Sequence, residues 1–327
     1  MSDRLILAVP SKGRLQEQAA EYFADAGLAM RKSAGARGYR ATLAGMPEID
    51  VMMLSASEIA AALQSGDVHL GVTGEDLVRE EAPGQDSKIA LMKPLGFGFA
   101  DVVVAVPQAW IDVSTMTDLD DVCAAFYQRH RRRLRVATKY VNLTRGYFSR
   151  AGIWDYRIVE SAGATEGAPA AGAAEAIVDI TTTGATLAAN NLKILDDGVI
   201  LKSQSHLAAS LAARWNAGIA GAAKRLLARL AARERAKTSL VLRARLNGKP
   251  DAALDAVAKS GVSVLSRPSK GNAAGEYSLL CPRDRLTDAI TILRRRGAAG
   301  SVTAQTVDYV FETEEPLIAT FEKLIKA

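Results

Sequence analysis

The ten residues from Val178 to Leu187 read Val-Asp-Ile-Thr-Thr-Thr-Gly-Ala-Thr-Leu. An apolar run ends on Asp179, crosses a turn of hydroxyls with one glycine, and enters a helical pattern. A carboxylate at such a strand end can accept hydrogen bonds from two neighbouring sugar hydroxyls. The hydroxyls of Thr181, Thr182, Thr183 and Thr186, with free backbone N–H groups around Gly184 and Ala185 where a helix starts, make an anion site suited to phosphate. Gly184 lets the backbone approach an anion closely. The same residues also suit an ordinary capped βα turn, so the stretch alone leaves both readings open.

Three other places carry charge where strands should end. Lys12 and Arg14 follow the apolar run Leu5–Val9 in Pro-Ser-Lys-Gly-Arg-Leu. Arg offers a planar fork and Lys a point charge for phosphate; the alternative is a solvated basic turn. Glu75 and Asp76 follow the run Leu-Gly-Val-Thr-Gly, a strand that ends in a glycine turn. Either they orient a ligand, or they are acids at a helix N-terminus, where the dipole favours them. Lys139 and Tyr140 follow Arg-Val-Ala-Thr. Lys139 can meet a phosphate, and Tyr140 either stacks on a flat ligand or packs inside.

These residues need strands to hold them. Leu5–Val9, Ile49–Leu54 and Val68–Gly74 read as strands, with helices between them starting near Leu15 and after Ser55 or Ser57, either of which can cap. Strands alternating with helices predict parallel βαβ units. Ala100–Pro107 is a nearly unbroken apolar run, as in a strand buried on both faces. Leu134–Thr138, Tyr156–Ser161 and Ile177–Ile180 continue a second α/β lobe, with helices near Thr144 and over Pro169–Ala176. Gly198–Ser210 predicts one more strand, returning to the first lobe. A long Ala- and Arg-rich helix covers 211–236. The tail then reads β-α-β-β-α-β, the order of a ferredoxin-like split βαβ domain. The domains are therefore 1–97 with 197–236 as the first lobe, 98–196 as the second, and 237–327 as a ferredoxin-like domain. Two joined lobes favour a ligand cleft between them.

Composition narrows the class. A chain of 327 residues predicts two or three domains. No apolar run approaches the 18 or so residues of a membrane span, and the apolar run near the N-terminus is too short for a secretory signal, so the cytoplasm is expected. Cys123 and Cys281 are too few and too far apart for a disulfide framework, and His69, His130 and His206 share no metal-ligand spacing. No metal site is expected from protein ligands alone. The net charge of +5 suits small anionic ligands without demanding nucleic acid. The run Arg129–Arg135 lacks interleaved aromatics and precedes a buried strand, so it reads as a solvated edge.

Spacing then brings in a family. Glu166, Gly172, Ala174, Ile177, Asp179, Ile180, Thr183, Gly184, Thr186 and Leu187 match every specified position of the signature of ATP phosphoribosyltransferases. Pro10–Leu15, Asp67–Asp76, Leu95–Gly98 and Arg135–Tyr140 resemble further segments of that family in the same order. The resemblance covers residues 5–207 well, and the tail 237–327 is similar in length and element order to the regulatory domain of the long form. It implies two lobes like those of periplasmic binding proteins. It implies transfer of phosphoribosyl from phosphoribosyl pyrophosphate (PRPP) to N1 of ATP, giving phosphoribosyl-ATP and pyrophosphate at the start of histidine biosynthesis. PRPP would meet Asp179, Thr181, Thr182, Thr183, Gly184, Ala185 and Thr186. ATP would meet Lys12, Glu75, Asp76, Lys139 and Tyr140, with Lys12, Arg14 and Asp179 catalytic. Glu166 borders the cleft with no assigned role. Mg²⁺ would travel with the substrate phosphates. Long forms assemble as hexamers or dimers and respond to histidine, and a shorter form uses a separate regulatory subunit. The rival reading is a non-catalytic bilobed module that binds a small anion or nucleotide.

Overall fold

The structure is a computed structural model describing residues 4–32, 39–84, 87–161, 163–247, 250–268 and 275–326. In chain order the first elements are β1 (Leu5–Pro10), α1 (Gly13–Asp25), β2 (Met30–Lys32), β3 (Arg40–Leu43), β4 (Met46–Leu54), α2 (Ala56–Ser65), β5 (Leu70–Gly74), α3 (Glu75–Glu81) and β6 (Ile89–Pro94). Then come β7 (Ala100–Pro107), α4 (Met116–His130), β8 (Leu134–Thr138), α5 (Val141–Arg150), β9 (Tyr156–Glu160), β10 (Ala176–Thr181), α6 (Ala185–Ala189), β11 (Leu192–Ser203) and β12 (Ser205–Ser210). The chain ends with α7 (Ala217–Thr238), β13 (Ser239–Leu246), α8 (Asp251–Ala258), β14 (Ser263–Ser266), β15 (Gly275–Pro282), α9 (Leu286–Arg295), β16 (Ala298–Gln305) and α10 (Pro316–Lys326).

Two sheets form two α/β lobes. The first has the order β2-β3-β4-β1-β5-β12-β6, the second β11-β7-β10-β8-β9. In the first, β1 is parallel to both β4 and β5, and the chain visits β4 before crossing to β5. In the second, β8 is parallel to both β9 and β10, and the chain visits β9 before crossing to β10. Each lobe therefore has a topological switch point, beside β1 and β5 in one and beside β8 and β10 in the other. Ligands favour the crevice at the carboxyl ends of such strands. Local chemistry supports the frame: Ser55 accepts from the Glu58 N–H while Glu58 accepts from the Ser55 N–H at 2.8 Å, a full capping box on α2.

The third sheet has the order β14-β15-β13-β16, with antiparallel pairing throughout. With its β-α-β-β-α-β connectivity this is the expected ferredoxin-like arrangement. Its core includes Leu242, Leu254, Val257, Leu279 and Leu293.

Some boundaries differ from the sequence reading. Gly198–Ser210 is not one strand: β11 stays in the second lobe to Ser203, and β12 joins the first sheet from Ser205. The change of lobe thus falls at Gln204 rather than at 197. Pro169–Ala176 is turn rather than helix, because Gly172 sits at φ 67° and β10 begins at Ala176. Strands β2, β3 and β6 carried too little alternation to be read in advance. Contacts divide the chain into Met1–Ala222 with Thr320–Ala327, and Ala223–Ala319. The polar stretch Glu234–Thr238 lies inside α7, not in a linker. Arg235 binds Glu315 at 2.7 Å and the Val310 carbonyl at 2.6 Å. The tail's last helix returns Phe321 to the first unit, fully buried with its ring 5.0 Å from that of Trp215.

Candidate active site

The second-lobe switch point collects the signature residues. Asp179 is half-buried near the end of β10, and its Oδ1 accepts from the Ile180 N–H at 2.8 Å. Burial raises its carboxyl above the ordinary carboxylate range; the Ile180 N–H and the Lys139 charge oppose this, and Glu166 adds to it. Lys139, at the end of β8, and Glu166, in a 3₁₀ turn, are thus within electrostatic reach of Asp179. Parallel pairing of β8 with β10 brings the Lys139 and Asp179 strand ends together.

The hydroxyl turn organises itself. Thr181 Oγ1 accepts from the Gly184 N–H at 2.8 Å, Thr183 Oγ1 from the Ala185 N–H at 3.4 Å, and Thr182 Oγ1 donates to the Phe99 carbonyl at 3.1 Å. The Gly184 and Ala185 amides, expected to be free, already have hydroxyl partners, so an incoming anion must share or displace them. Gly184 stands at φ 75°, and a Cβ there would meet only Ile194 Cδ1, at 3.9 Å. Its glycine is needed for the left-handed turn rather than for space. Thr186 is exposed at the start of α6, a helix of only five residues. Local amides, more than a long helix dipole, therefore supply the positive potential here.

In the first lobe, Lys12 and Arg14 are exposed around the start of α1, at the carboxyl end of β1. Gly13 between them has φ 68°. Lys12 lies within electrostatic reach of Glu58. The crossing segment 96–99 links the two loops: a Cβ on Gly98 would lie 2.8 Å from Leu15 Cδ1, and Phe99 receives the Thr182 hydroxyl.

The residues after β5 divide. Glu75 is partly exposed, pairs with Arg79 at 2.6 Å and lies 4.0 Å from His206 Nε2. Asp76 turns inward and is 6% exposed. Its Oδ2 accepts from the Tyr140 hydroxyl at 2.7 Å and its Oδ1 from the Ser203 hydroxyl at 2.8 Å. Tyr140 is 0% exposed and packs in the second-lobe core with Val136, Phe148 and Val178. Of the two readings for Tyr140 the structure takes the packed one: no ring face is left for a purine, because core residues and the Lys139 side chain enclose the ring and Asp76 holds its hydroxyl. Asp76 likewise has both carboxylate oxygens engaged and does not present them to a ligand. Sequence reasoning missed Ser203 and Glu80. Glu80 stands four residues after Asp76, hence on the same helix face, and that spacing was the available signal.

Half of the basic run is paired. Arg132 and Arg135 bind Glu175 at 3.0 and 2.7 Å. Burial works against the Glu175 charge, but these partners hold its carboxyl down to about 2. Among the described residues no group of three or more His, Cys, Asp or Glu side chains is placed to hold a metal, and no helix is long and apolar enough to cross a membrane.

Comparison with known proteins gives the chain a family. Residues 55–232 match the family model described as ATP phosphoribosyltransferase. The chain is 54% identical to an ATP phosphoribosyltransferase of Rhodopseudomonas palustris strain BisA53, with 100% of each chain covered. It is also 54% identical to one of Bradyrhizobium diazoefficiens, again with 100% of each covered. Among solved structures, an ATP phosphoribosyl transferase complex from Thermotoga maritima is 27% identical, covering 63% of this chain and 87% of that one at a TM-score of 0.48. With its family model matched from the first lobe through the signature loop to α7, and relatives alike over their whole length, the chain belongs to the ATP phosphoribosyltransferase family.

Proposed function

We propose that the two switch points divide the substrates, with Asp179 and the loop Thr181–Thr186 holding PRPP and the Lys12–Arg14 turn serving the phosphates of ATP and the leaving pyrophosphate. The observation that carries this reading is the hydroxyl turn that follows Asp179 directly at the carboxyl end of β10, folded with Thr181 Oγ1 on the Gly184 N–H. In the reaction, adenine N1 of ATP attacks C1 of the ribose and pyrophosphate leaves. Positive charge grows on the sugar and negative charge on the leaving group. Catalysis then rests on positioning both substrates and stabilising both charges. Asp179 accepts the ribose hydroxyls, and the threonine loop accepts the 5′-phosphate. Glu75 borders the ATP side, and Glu166 stands beside Asp179. Mg²⁺ suits the phosphate oxygens as a hard cation that keeps several waters and needs no protein cage. It would arrive with the substrates, neutralising pyrophosphate.

Asp179→Asn keeps size and removes a charge-assisted acceptor of about 1.5–3 kcal/mol, so turnover should fall roughly 10- to 150-fold. The fall should appear in PRPP kinetics, with ATP binding alone unchanged. Unaltered PRPP kinetics would remove Asp179 from the site. The read-out is the changed ultraviolet absorbance of the ribosylated adenine.

The same assay tests regulation. The ferredoxin-like domain is read as the regulatory element, with histidine as effector and a hexamer or dimer as the working assembly in the cytoplasm. An effector must bind two states of the enzyme unequally. Adding histidine to the intact chain should therefore lower turnover; if it does not, the domain serves assembly alone or answers to a separate subunit. Cutting at 238 is a poor test, because it also removes Phe321 from the first unit.

A further inference from the structure

Helix α3 belongs to the first lobe but spends one face on the second. Asp76 and Glu80, four residues apart, lie on that face. Asp76 accepts from the Tyr140 hydroxyl and from the Ser203 hydroxyl, while its own N–H donates to Ser203 Oγ at 3.0 Å. Glu80 accepts from the N–H groups of Asn142 at 2.9 Å and Leu143 at 3.0 Å, and its carbonyl accepts from Asn142 Nδ2 at 2.8 Å. Those amides open α5, where a helix has no internal acceptors for them. Tyr140, the residue before α5, makes no side-chain cap of its own. The first lobe therefore caps a helix of the second.

This contact bears on the site through one peptide bond. Lys139 precedes Tyr140, and its Nζ lies 4.9 Å from the centre of the Tyr140 ring. Tyr140 itself is immobilised by the core and by Thr144, whose N–H and hydroxyl both bond its carbonyl. Whatever fixes Tyr140 against α3 fixes the backbone from which Lys139 reaches toward Asp179.

We infer that Asp76, Glu80, Tyr140 and Ser203 form an inter-lobe clamp whose role in the reaction is to set Lys139 against Asp179 and hold the two switch points in register. They are positioning residues, not substrate contacts. The inference rests on the reading of Asp179 and Lys139 as site residues.

The test is a kinetic cycle on the full-length chain with Tyr140→Phe, Ser203→Ala and Asp76→Ala, alone and in pairs. Tyr140→Phe removes one hydroxyl and keeps the packed ring. It should lower kcat about tenfold, the size of one hydrogen bond to a charged group, while PRPP binding measured alone stays within about twofold. In the Asp76→Ala background it should have no further effect on kcat, because its acceptor is already gone. Glu80→Gln keeps an acceptor for the α5 amides and should retain more kcat than Glu80→Ala. A Tyr140→Phe enzyme that loses only melting temperature, with kcat and both KM values within twofold, would overturn the clamp. Should that variant fail to fold, Ser203→Ala decides on the same criteria. Failure of Asp179→Asn to alter PRPP kinetics, with Tyr140→Phe still lowering kcat, would retire the reading of Asp179 and leave the clamp's effect standing.

Discussion

The two switch points are built on one plan and furnished differently. Each lies beside a strand with parallel neighbours on both sides, where the chain turns first one way and then the other. In the second lobe the loop is held by its own residues: Thr181 holds Gly184, Thr183 holds Ala185, and Asp179 holds Ile180. In the first lobe the Lys12–Arg14 turn is exposed and is placed by the strand before it and the helix after it. A self-organised loop suits the substrate whose reacting carbon must be aligned. An exposed basic turn suits phosphates that carry charge and metal with them.

Substitutions should separate the two. The largest effect is expected from removing both cations of the first lobe. Lys12→Met with Arg14→Gln should reduce kcat/KM for ATP by about 100-fold, given roughly 1.5–3 kcal/mol for a hydrogen bond to a charged group. PRPP bound alone should lose less than ATP does, because only its pyrophosphate reaches this turn. A loss confined to PRPP would reverse the assignment of the lobes. Next comes Gly184→Val, which puts a β-branched residue at φ 75° and should cost roughly 1–2 kcal/mol in the left-handed region, or about 5- to 30-fold in PRPP affinity. Gly184→Asn should be milder, because Asn tolerates that region. Equal losses in the two variants would mean that close approach, not φ, is what the glycine provides.

The smallest effect concerns the Arg132–Glu175–Arg135 cluster, which ties the start of β8 to the residue before β10. The folded carboxyl of Glu175 is held near 2, below its ordinary 4.5. A depressed acid stabilises the fold above its unfolded value and loses that contribution as pH falls from about 4.5 toward 2. Acid-induced unfolding of Glu175→Gln should therefore be less steep across that window than that of the native chain. The difference should be small, because partly exposed ion pairs are screened by solvent. An identical acid transition would show that the cluster adds nothing measurable.

The same contrast explains what could be read in advance. Asp179, the threonines and Gly184 are contiguous, so their chemistry lies in one stretch and its spacing identifies the family. Lys12 and Arg14 stand out as cations after a strand. The strands Ala100–Pro107 and Leu134–Thr138 were plain because core strands are mostly apolar. The short edge strand β2 and its short neighbour β3 were not. The turn at 169–176 was misread as helix because Ala-rich composition outweighed one glycine.

Sequence by itself determined the α/β alternation, the ferredoxin-like order of the tail and the hydroxyl-rich turn after Asp179, because each depends on residues close together in the chain. Tertiary structure alone decided which way Asp76 and Tyr140 face. Both stand at strand ends, where a side chain can turn to the cleft or to the core, and nothing local chooses between them. The choice comes from Ser203, 127 residues away from Asp76, and from a core that encloses the Tyr140 ring. A buried carboxylate goes where hydroxyl donors can satisfy it, and those donors meet only once the lobes have come together.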